Sequence, residues 1–286
     1  MKHFLIYTNK LKDKDMKVTD RICSYLSDKG HKATILSEEK LQKETREKCR
    51  LTGTNSSEAD CMLVLGGDGT VLQAVRDTMG SGVPILGINL GTLGYMTEVE
   101  PTEVETALDR LIAGDYETES RMMLSGKVLF QNGEIREGWA LNDIVFARSG
   151  SLQILKFNIY VNGQFLNSYH ADGMIVTTPT GSTGYNLSAG GPIVEPRARL
   201  IVLTPICPHS LNQRSIVLSP EDCVEIELPQ GREDRQQTTE VSFDGNYGIP
   251  LNEGDRIRII RSDMVASFIR LNKISFLDVL HKKMSD

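Results

Sequence analysis

The sequence predicts an α/β N-terminal domain built on a parallel sheet, followed by a β-rich C-terminal domain. Over the first 120 residues, short apolar runs alternate with stretches of helical periodicity, and two of the runs end in glycine-rich turns. After Arg121 the apolar residues fall instead into period two, punctuated by Asn-Gly pairs. At 286 residues the chain is long enough for two domains, each with its own core.

Residues 3–7 read as a first strand, and Val18, Ile22, Tyr25 and Leu26 recur at helical spacing until Gly30 ends the helix ahead of a second strand at 33–36. Residues 41–55 are polar and give no clear element. The apolar segment 61–65 reads as a buried strand and runs straight into Gly66-Gly67-Asp68-Gly69-Thr70. Because Val71, Leu72, Ala74, Val75 and Met79 then follow at helical spacing, that turn is also a helix N-terminus. A further strand at 83–88 ends in a second glycine-rich turn, Asn89-Leu90-Gly91-Thr92-Leu93-Gly94. In an open parallel sheet such turns gather at the carboxyl ends of the strands, where ligands bind. Thr102 and Glu105 have the spacing of a capping box, and Val104, Leu108, Leu111 and Ile112 carry a helix to Gly114.

In the second half, Val128 and Phe130 lead to Asn132-Gly133, and Phe157, Ile159 and Val161 lead to Asn162-Gly163, two strong hairpin signals. Further strands are expected at 173–177, 200–204, 215–218, 223–228, 241–243 and 256–260, with an exposed loop at 230–239. Phe276, Leu277, Leu280 and Met284 mark a short terminal helix.

Composition excludes more than it names. A formal net charge of −6 argues against nonspecific nucleic-acid or membrane partners, both of which want a basic face. The five cysteines (23, 49, 61, 207 and 223) include no Cys-x-x-Cys pair and suit a reducing compartment. The apolar run at residues 4–7 is far too short for a signal-peptide core, and no run approaches a membrane span, so the expected location is the cytoplasm.

The first glycine turn suits a phosphate, since free N–H groups and the positive end of the helix dipole meet there. It is not a Walker A loop, because no Gly-Lys-Ser/Thr follows, and it lacks the third glycine of the dinucleotide fingerprint. Asp68 stands in the middle of this anion site, which is unfavourable unless a metal lies between or the acid takes part in chemistry. The stretch 172–192 crowds hydroxyls and glycines behind a strand, with Tyr185 as an aromatic face, a combination suited to sugar hydroxyls, an adenine ring and phosphate oxygens. Cys207-Pro208-His209 has no second ligand pair and reads as a packed turn, not a zinc site, so no metal-ligating residue is assigned; Trp139 reads as core.

Five blocks together resemble the NAD kinase family, over essentially the whole chain: Gly66-Gly67-Asp68-Gly69-Thr70, Leu141-Asn142-Asp143, Asp172-Gly173 through Pro192, Leu203-Thr204-Pro205-Ile206-Cys207-Pro208-His209-Ser210-Leu211, and Ser242-Phe243-Asp244-Gly245. The first block is shared with lipid kinases and phosphofructokinases, whereas the 172–192 block in this order is specific. The resemblance implies an NAD kinase-like fold: a Rossmann-like α/β domain over 1–120, a β-rich dinucleotide-binding domain over 121–265 with NAD at their junction, and a tail, 266–286, returning to the first domain. It implies transfer of the γ-phosphate of ATP to the adenosine-ribose 2′-hydroxyl of NAD, with Mg²⁺ or another divalent cation arriving on the nucleotide, and a homo-oligomer, dimer or tetramer.

By position, Asp68 matches the family's catalytic acid, and Gly66, Gly67 and Gly69 match its nucleotide loop. Asn142, Asp143, Asp172, Thr183, Tyr185 and Ser188 match NAD contacts, and Thr180, Gly184, Asn186, His170 and Asn246 complete the expected binding set. Three of these depart from the usual pattern: Gly184 replaces Ala, Asn246 replaces Gln, and His170 replaces Arg or Lys, which leaves the choice between NAD and NADH open. Arg148 and Lys156 are either surface charges or partners of the dinucleotide phosphates. Two rival functions remain, a lipid or sugar-phosphate kinase on the same glycine loop and a non-catalytic dinucleotide sensor. The first leaves 172–192 without a purpose, and the second gains nothing from an acid beside phosphates.

Overall fold

The computed structural model describes residues 1–36, 59–92, 94–150, 154–210, 213–229, 239–246, 248–272 and 275–285. The polar stretch 41–55, Cys49, Leu93, Leu211 and all of the expected 230–239 loop but Thr239 lie outside the described residues. Two compact units are formed, Met1–Ser120 with Ala266–Asp286, and Arg121–Val265.

In the first unit the chain runs through β1 (His3–Thr8), α1 (Lys17–Asp28), β2 (Lys32–Leu36), β3 (Cys61–Gly66), α2 (Asp68–Asp77), β4 (Ile85–Asn89) and α3 (Val104–Ala113). The strands pair in parallel in the order β2-β1-β3-β4. Every residue of β1, β3 and β4 is buried, as continuous apolar runs without alternation require when helices cover a parallel sheet. Ile22 and Leu26 of α1 and Leu108 and Leu111 of α3 close one core with Phe4, Ile6, Leu63, Leu65, Leu86 and Ile88. The register sets Thr8 beside Leu65 and Gly66 beside Asn89, so the turns that leave β1, β3 and β4 open at one end of the sheet. The expected capping box at Thr102 and Glu105 does not form. Pro101–Glu103 make a 3₁₀ turn that feeds α3 directly, and the residue preceding α3, Glu103, caps it with no side-chain hydrogen bond. Proline at the first position has already set φ for a helical start.

The second unit is antiparallel. Its hairpins are β5 (Glu117–Leu129, which begins in the first unit) with β6 (Ile135–Ala140), and β8 (Leu155–Val161) with β9 (Gln164–Ala171). The latter turn holds Asn162 at φ 52° and Gly163 at φ 76°, the two left-handed residues that an Asn-Gly turn supplies. A six-stranded sheet runs β12-β11-β10-β7-β14-β15, from β7 (Asp143–Arg148), β10 (Gly173–Thr177), β11 (Ile201–Ile206), β12 (Ile216–Leu218), β14 (Thr239–Phe243) and β15 (Ile249–Leu251). β13 (Val224–Glu227) lies between β8 and β16 (Arg256–Arg270). The core between these strands contains Phe146 against Phe157 at 5.1 Å and Phe157 stacked on Tyr169 at 5.7 Å.

Three expectations change. β16 continues ten residues past the expected end at Ile260, and its last residues belong to the first unit, where Phe268 pairs in parallel with Ile85 of β4. β7 and β15 are not among the expected strands, although Ile144-Val145-Phe146-Ala147 of β7 is an apolar run of the kind that marks a buried strand. Trp139 is half-buried and stands outside the core. The terminal helix forms as α5 (Phe276–Met284), capped by Ser275, which exchanges hydrogen bonds with Asp278. Phe276 packs on Tyr95 at 5.9 Å, and Lys283 lies over the same ring.

Candidate active site

In the first unit, β3 delivers the chain to Gly67, whose extended backbone (φ −136°, ψ −171°) precedes α2 and whose carbonyl accepts the N–H groups of Thr70 and Val71. Of the expected loop glycines, Gly66 is a packing glycine, since a Cβ there would collide with the Thr70 side chain, while Gly69 faces open space. Asp68 opens the helix, half-buried.

The acid's puzzling place among anion-binding groups has a local answer. Tyr95 donates its backbone N–H to Asp68 Oδ2 at 2.9 Å, and Met96 donates to Oδ1 at 3.0 Å. The second glycine turn thus wraps the carboxylate. Gly94 is needed there, because a Cβ would run into Asp68 Oδ1. Both oxygens are fixed in direction by these donors, and each keeps lone-pair capacity for one more partner, so the group is aimed without being consumed. Burial and, second, the Asp68 charge push the Tyr95 phenol above its ordinary pKa, which keeps it neutral.

In the second unit, the link between β6 and β7 carries Leu141, Asn142 and Asp143, and all three backbone N–H groups donate to the carboxylate of Asp244, at 2.7, 2.7 and 3.1 Å. Sequence reasoning quoted Asp244 as part of a motif but gave it no role; here it is the anchor of the Asn142 segment. Thr178 N–H and Thr177 Oγ1 donate to the Asn142 carbonyl, and Thr178 Oγ1 donates to that of Leu141. Gly181 lies so close to the Asn142 carbonyl that no side chain fits. With its backbone held on both sides, Asn142 presents a side-chain Oδ1 that is buried and has no hydrogen-bond partner among the described residues. A buried acceptor left open in this way costs on the order of 1–3 kcal/mol, which a ligand donor would recover.

Asp143 is buried beside Asp244, and its carboxyl is pushed up to about 7, first by burial and then by the Asp244 charge. It is therefore a carboxyl able to donate as well as accept near neutral pH. Asp172 is paired with Arg148 through two contacts, Nε to Oδ1 at 3.0 Å and a terminal nitrogen to Oδ2 at 3.2 Å, so Arg148 is an ion-pair partner of one of the expected NAD contacts.

The hydroxyl-rich stretch folds as a 3₁₀ turn, Thr180–Thr183, and a single helical turn, α4 (Tyr185–Ser188). Its polar residues divide into two groups. Thr180 is buried and accepts from Arg121, and Ser182 is tied to Val194 in both directions. Asn186, expected to touch the ligand, is fully buried instead. Its Nδ2 donates to the carbonyls of Ser182 and Pro192 and its Oδ1 accepts from Thr204 Oγ1, so the amide is committed to bracing the turn. Thr183 and Gly184 are half-buried, and Tyr185 and Ser188 are exposed, leaving these four available. A Cβ on Gly184 would lie 3.3 Å from the Gly181 carbonyl and 3.6 Å from Asn142 Nδ2, a near fit, so the glycine here widens the space next to the Asn142 amide only slightly.

His170 and Asn246 come from other segments, His170 from β9 and Asn246 from the turn that follows Asp244. Asn246 is exposed beyond β14. His170 lines a polar cavity of about 320 Å³ with Asn167, Ser168, His209, Ser210 and Gln213, none of them from 180–188. Cys207, expected in a packed turn, is exposed with φ 44°.

Residues 4–116 match the profile of the ATP-NAD kinase N-terminal domain, and residues 141–271 that of the ATP-NAD kinase C-terminal domain. An NAD kinase of Agathobacter rectalis is 45% identical over 286 residues, covering 100% of this chain and 99% of the relative, and one of Lachnospira eligens is 43% identical over 296 residues, covering 99% and 100%. Among solved structures, an Archaeoglobus fulgidus NAD kinase in complex with ATP aligns with a TM-score of 0.77 at 25% identity over both whole chains. Yeast NADH kinase complexed with NADH shares the fold, with a TM-score of 0.84 at 24% identity over 100% of this chain and 88% of that one.

Proposed function

The chain belongs to the ATP-NAD kinase family, and from that premise we propose how its residues divide the work of the reaction. The activity is that of a phosphotransferase with an alcohol acceptor, an NAD kinase. Our reading is that the 2′-oxygen of the adenosine ribose of NAD bonds to the γ-phosphorus of ATP, the bond to the β,γ-bridging oxygen breaks, and ADP and NADP leave. Phosphoryl transfer asks a protein mainly for in-line positioning and charge neutralisation.

Asp68 takes the proton of the 2′-hydroxyl; the observation that carries this role is the pair of backbone donors that aims its carboxylate. Gly66, Gly67 and Gly69 form the phosphate turn at the start of α2. Asn142 and Asp143 hold the ribose and base, supported by the open Oδ1 of Asn142, and Asp172, Thr183, Gly184, Tyr185 and Ser188 complete the dinucleotide contacts. Thr180 and Asn186 support that surface from beneath, and His170 and Asn246 lie at its margin.

Hard phosphate oxygens are the natural ligands of Mg²⁺, which would be carried by the nucleotide and, when bound, would supply neutralisation of the charge on the phosphates. The donor set agrees with that route, since each oxygen of Asp68 already accepts one amide and has at most one position left to offer. We place the protein in the cytoplasm as a dimer or tetramer. The four described cysteines are free, and no helix among the described residues is long and apolar enough to cross a membrane.

The test is direct: incubate the purified protein with ATP, Mg²⁺ and NAD, and measure NADP with an NADP-specific dehydrogenase. Absence of NADP overturns the reading. Within it, Tyr185 is 46% exposed and offers a ring to the dinucleotide, so Tyr185→Phe should bind NAD almost normally. Tyr185→Ala should lose about 1–3 kcal/mol, the scale of base–aromatic stacking. Calorimetry that finds the large loss already in the Phe variant would transfer the role to the phenol hydroxyl.

A further inference from the structure

We infer that Lys12 is a further phosphate-binding residue of the nucleotide site, its ammonium meeting the triphosphate oxygens over Gly67 and Gly91. The inference rests on the placement of the donor phosphates proposed above. Lys12 Nζ lies 2.9 Å from where a Cβ on Gly67 would stand and 3.3 Å from the same point on Gly91. These glycines belong to different turns, one leading from β3 into α2 and the other leaving β4. The lysine comes from a third, between β1 and α1, so all three turns converge on one cation.

Position 12 is held from both sides. Asn9 donates its N–H to the Leu65 carbonyl at 3.0 Å, and its carbonyl accepts the N–H groups of Lys12 and Asp13 at 2.9 Å each. The Asn9 side chain accepts from Leu11 N–H and donates to Thr70 Oγ1 at 3.3 Å, which ties the loop to the first turn of α2. On the far side, Asp13 is buried and accepts from Val18, Thr19 and the Thr19 hydroxyl at the start of α1. The backbone on either side of Lys12 is thus pinned while its side chain extends over the glycines.

Electrostatics then asks for an anion. A cation beside the N-terminus of a helix faces charge of its own sign and gains nothing from the protein there. Lys17 pairs with Asp15 and Lys29 with Asp109, whereas among the described residues no carboxylate pairs with Lys12. Asp68, the acid of the neighbouring turn, has its carboxylate turned to Tyr95 and Met96. A triphosphate supplies the missing negative charge, and a lysine is suited to it as a mobile point charge with three donors.

The test is steady-state kinetics on the full-length protein with ATP varied at saturating NAD and the reverse, for wild type, Lys12→Met, Lys12→Arg and, as an exposed control in the same loop, Lys10→Ala. Lys12→Met should raise the KM for ATP about ten- to a hundredfold, the scale of one hydrogen bond to a charged group, while the KM for NAD stays within about twofold. Inorganic tripolyphosphate, competing with ATP, should lose inhibitory strength in parallel; Lys12→Arg should recover most of both, and Lys10→Ala should match wild type. A Lys12→Met enzyme with wild-type ATP KM and tripolyphosphate inhibition overturns the inference, as does one in which both KM values rise together. A wild-type protein that makes NADP without ATP dependence overturns the donor-site reading itself, and the inference with it.

Discussion

Asp68→Asn is expected to lower kcat by about 10² to 10⁴, the usual contribution of a general base, while NAD binding persists. The geometry sharpens this expectation. Asp68 Oδ2 and Oδ1 each accept a backbone N–H, from Tyr95 and Met96, so the carboxamide must turn its NH₂ toward one of those amides and forfeit that hydrogen bond. Some loss of stability will therefore accompany the loss of charge, and a thermal melt is needed beside the kinetics. Separate NAD and MgATP affinities distinguish the remaining roles. If the carboxylate only repels the triphosphate, MgATP binds more tightly to the variant; if it also holds the ion, nucleotide affinity falls and depends less on Mg²⁺. A folded Asp68→Asn protein with near wild-type kcat removes Asp68 as the base.

The parts of this site that local sequence carries are those built from neighbours in the chain. The apolar run of β3 followed by Gly66 and Gly67 could only be a buried strand opening into a turn, and the two Asn-Gly pairs gave their hairpins directly. What aims Asp68 was not legible, because its donors lie 27 and 28 residues away, and the glycines that mark their turn do not say which group it wraps. Asp244 is further still, 101 to 103 residues from the amides it gathers. Lys12 sits in a lysine-rich loop where nothing distinguishes it from Lys10 or Lys14 until the sheet register brings the turn of β1 beside that of β3. Asn186 shows the opposite failure. Among so many hydroxyls its amide reads as a ligand contact, and only its burial against Thr204 and Pro192 reveals a brace. β16 was cut short because its alternation slips at Ile259-Ile260, and the continuation past Val265 is fixed by β4 and not by its own sequence.

Stability should fall as pH rises from about 4 to about 7, and Asp143 is the residue responsible. Its folded-state pKa is raised to about 7, above the ordinary carboxyl value, so between those limits the unfolded chain releases a proton that the folded protein retains. The unfolded state binds fewer protons throughout that window, hence unfolding becomes easier with rising pH and levels off above about 7. At about 1.4 kcal/mol for each pH unit that separates the folded and unfolded carboxyl, the loss from this one group is on the order of 2–4 kcal/mol. Asp143→Asn, which cannot ionise, should flatten this part of the profile and be more stable than wild type at pH 8. Asp244→Asn tests the second cause. The left-handed backbone at Asp244 (φ 49°) tolerates asparagine, and an amide oxygen in the place of Oδ1 keeps the bonds from Asn142 and Asp143, while its NH₂ opposes the Leu141 N–H. That variant should be weaker at every pH, by about 1–3 kcal/mol for the orphaned amide, yet less dependent on pH, because Asp143 no longer faces a second negative charge. Denaturant midpoints for the three proteins between pH 4 and 8 read out both effects. Parallel profiles for wild type and Asp143→Asn would show that Asp143 ionises freely and that its burial beside Asp244 has no energetic consequence.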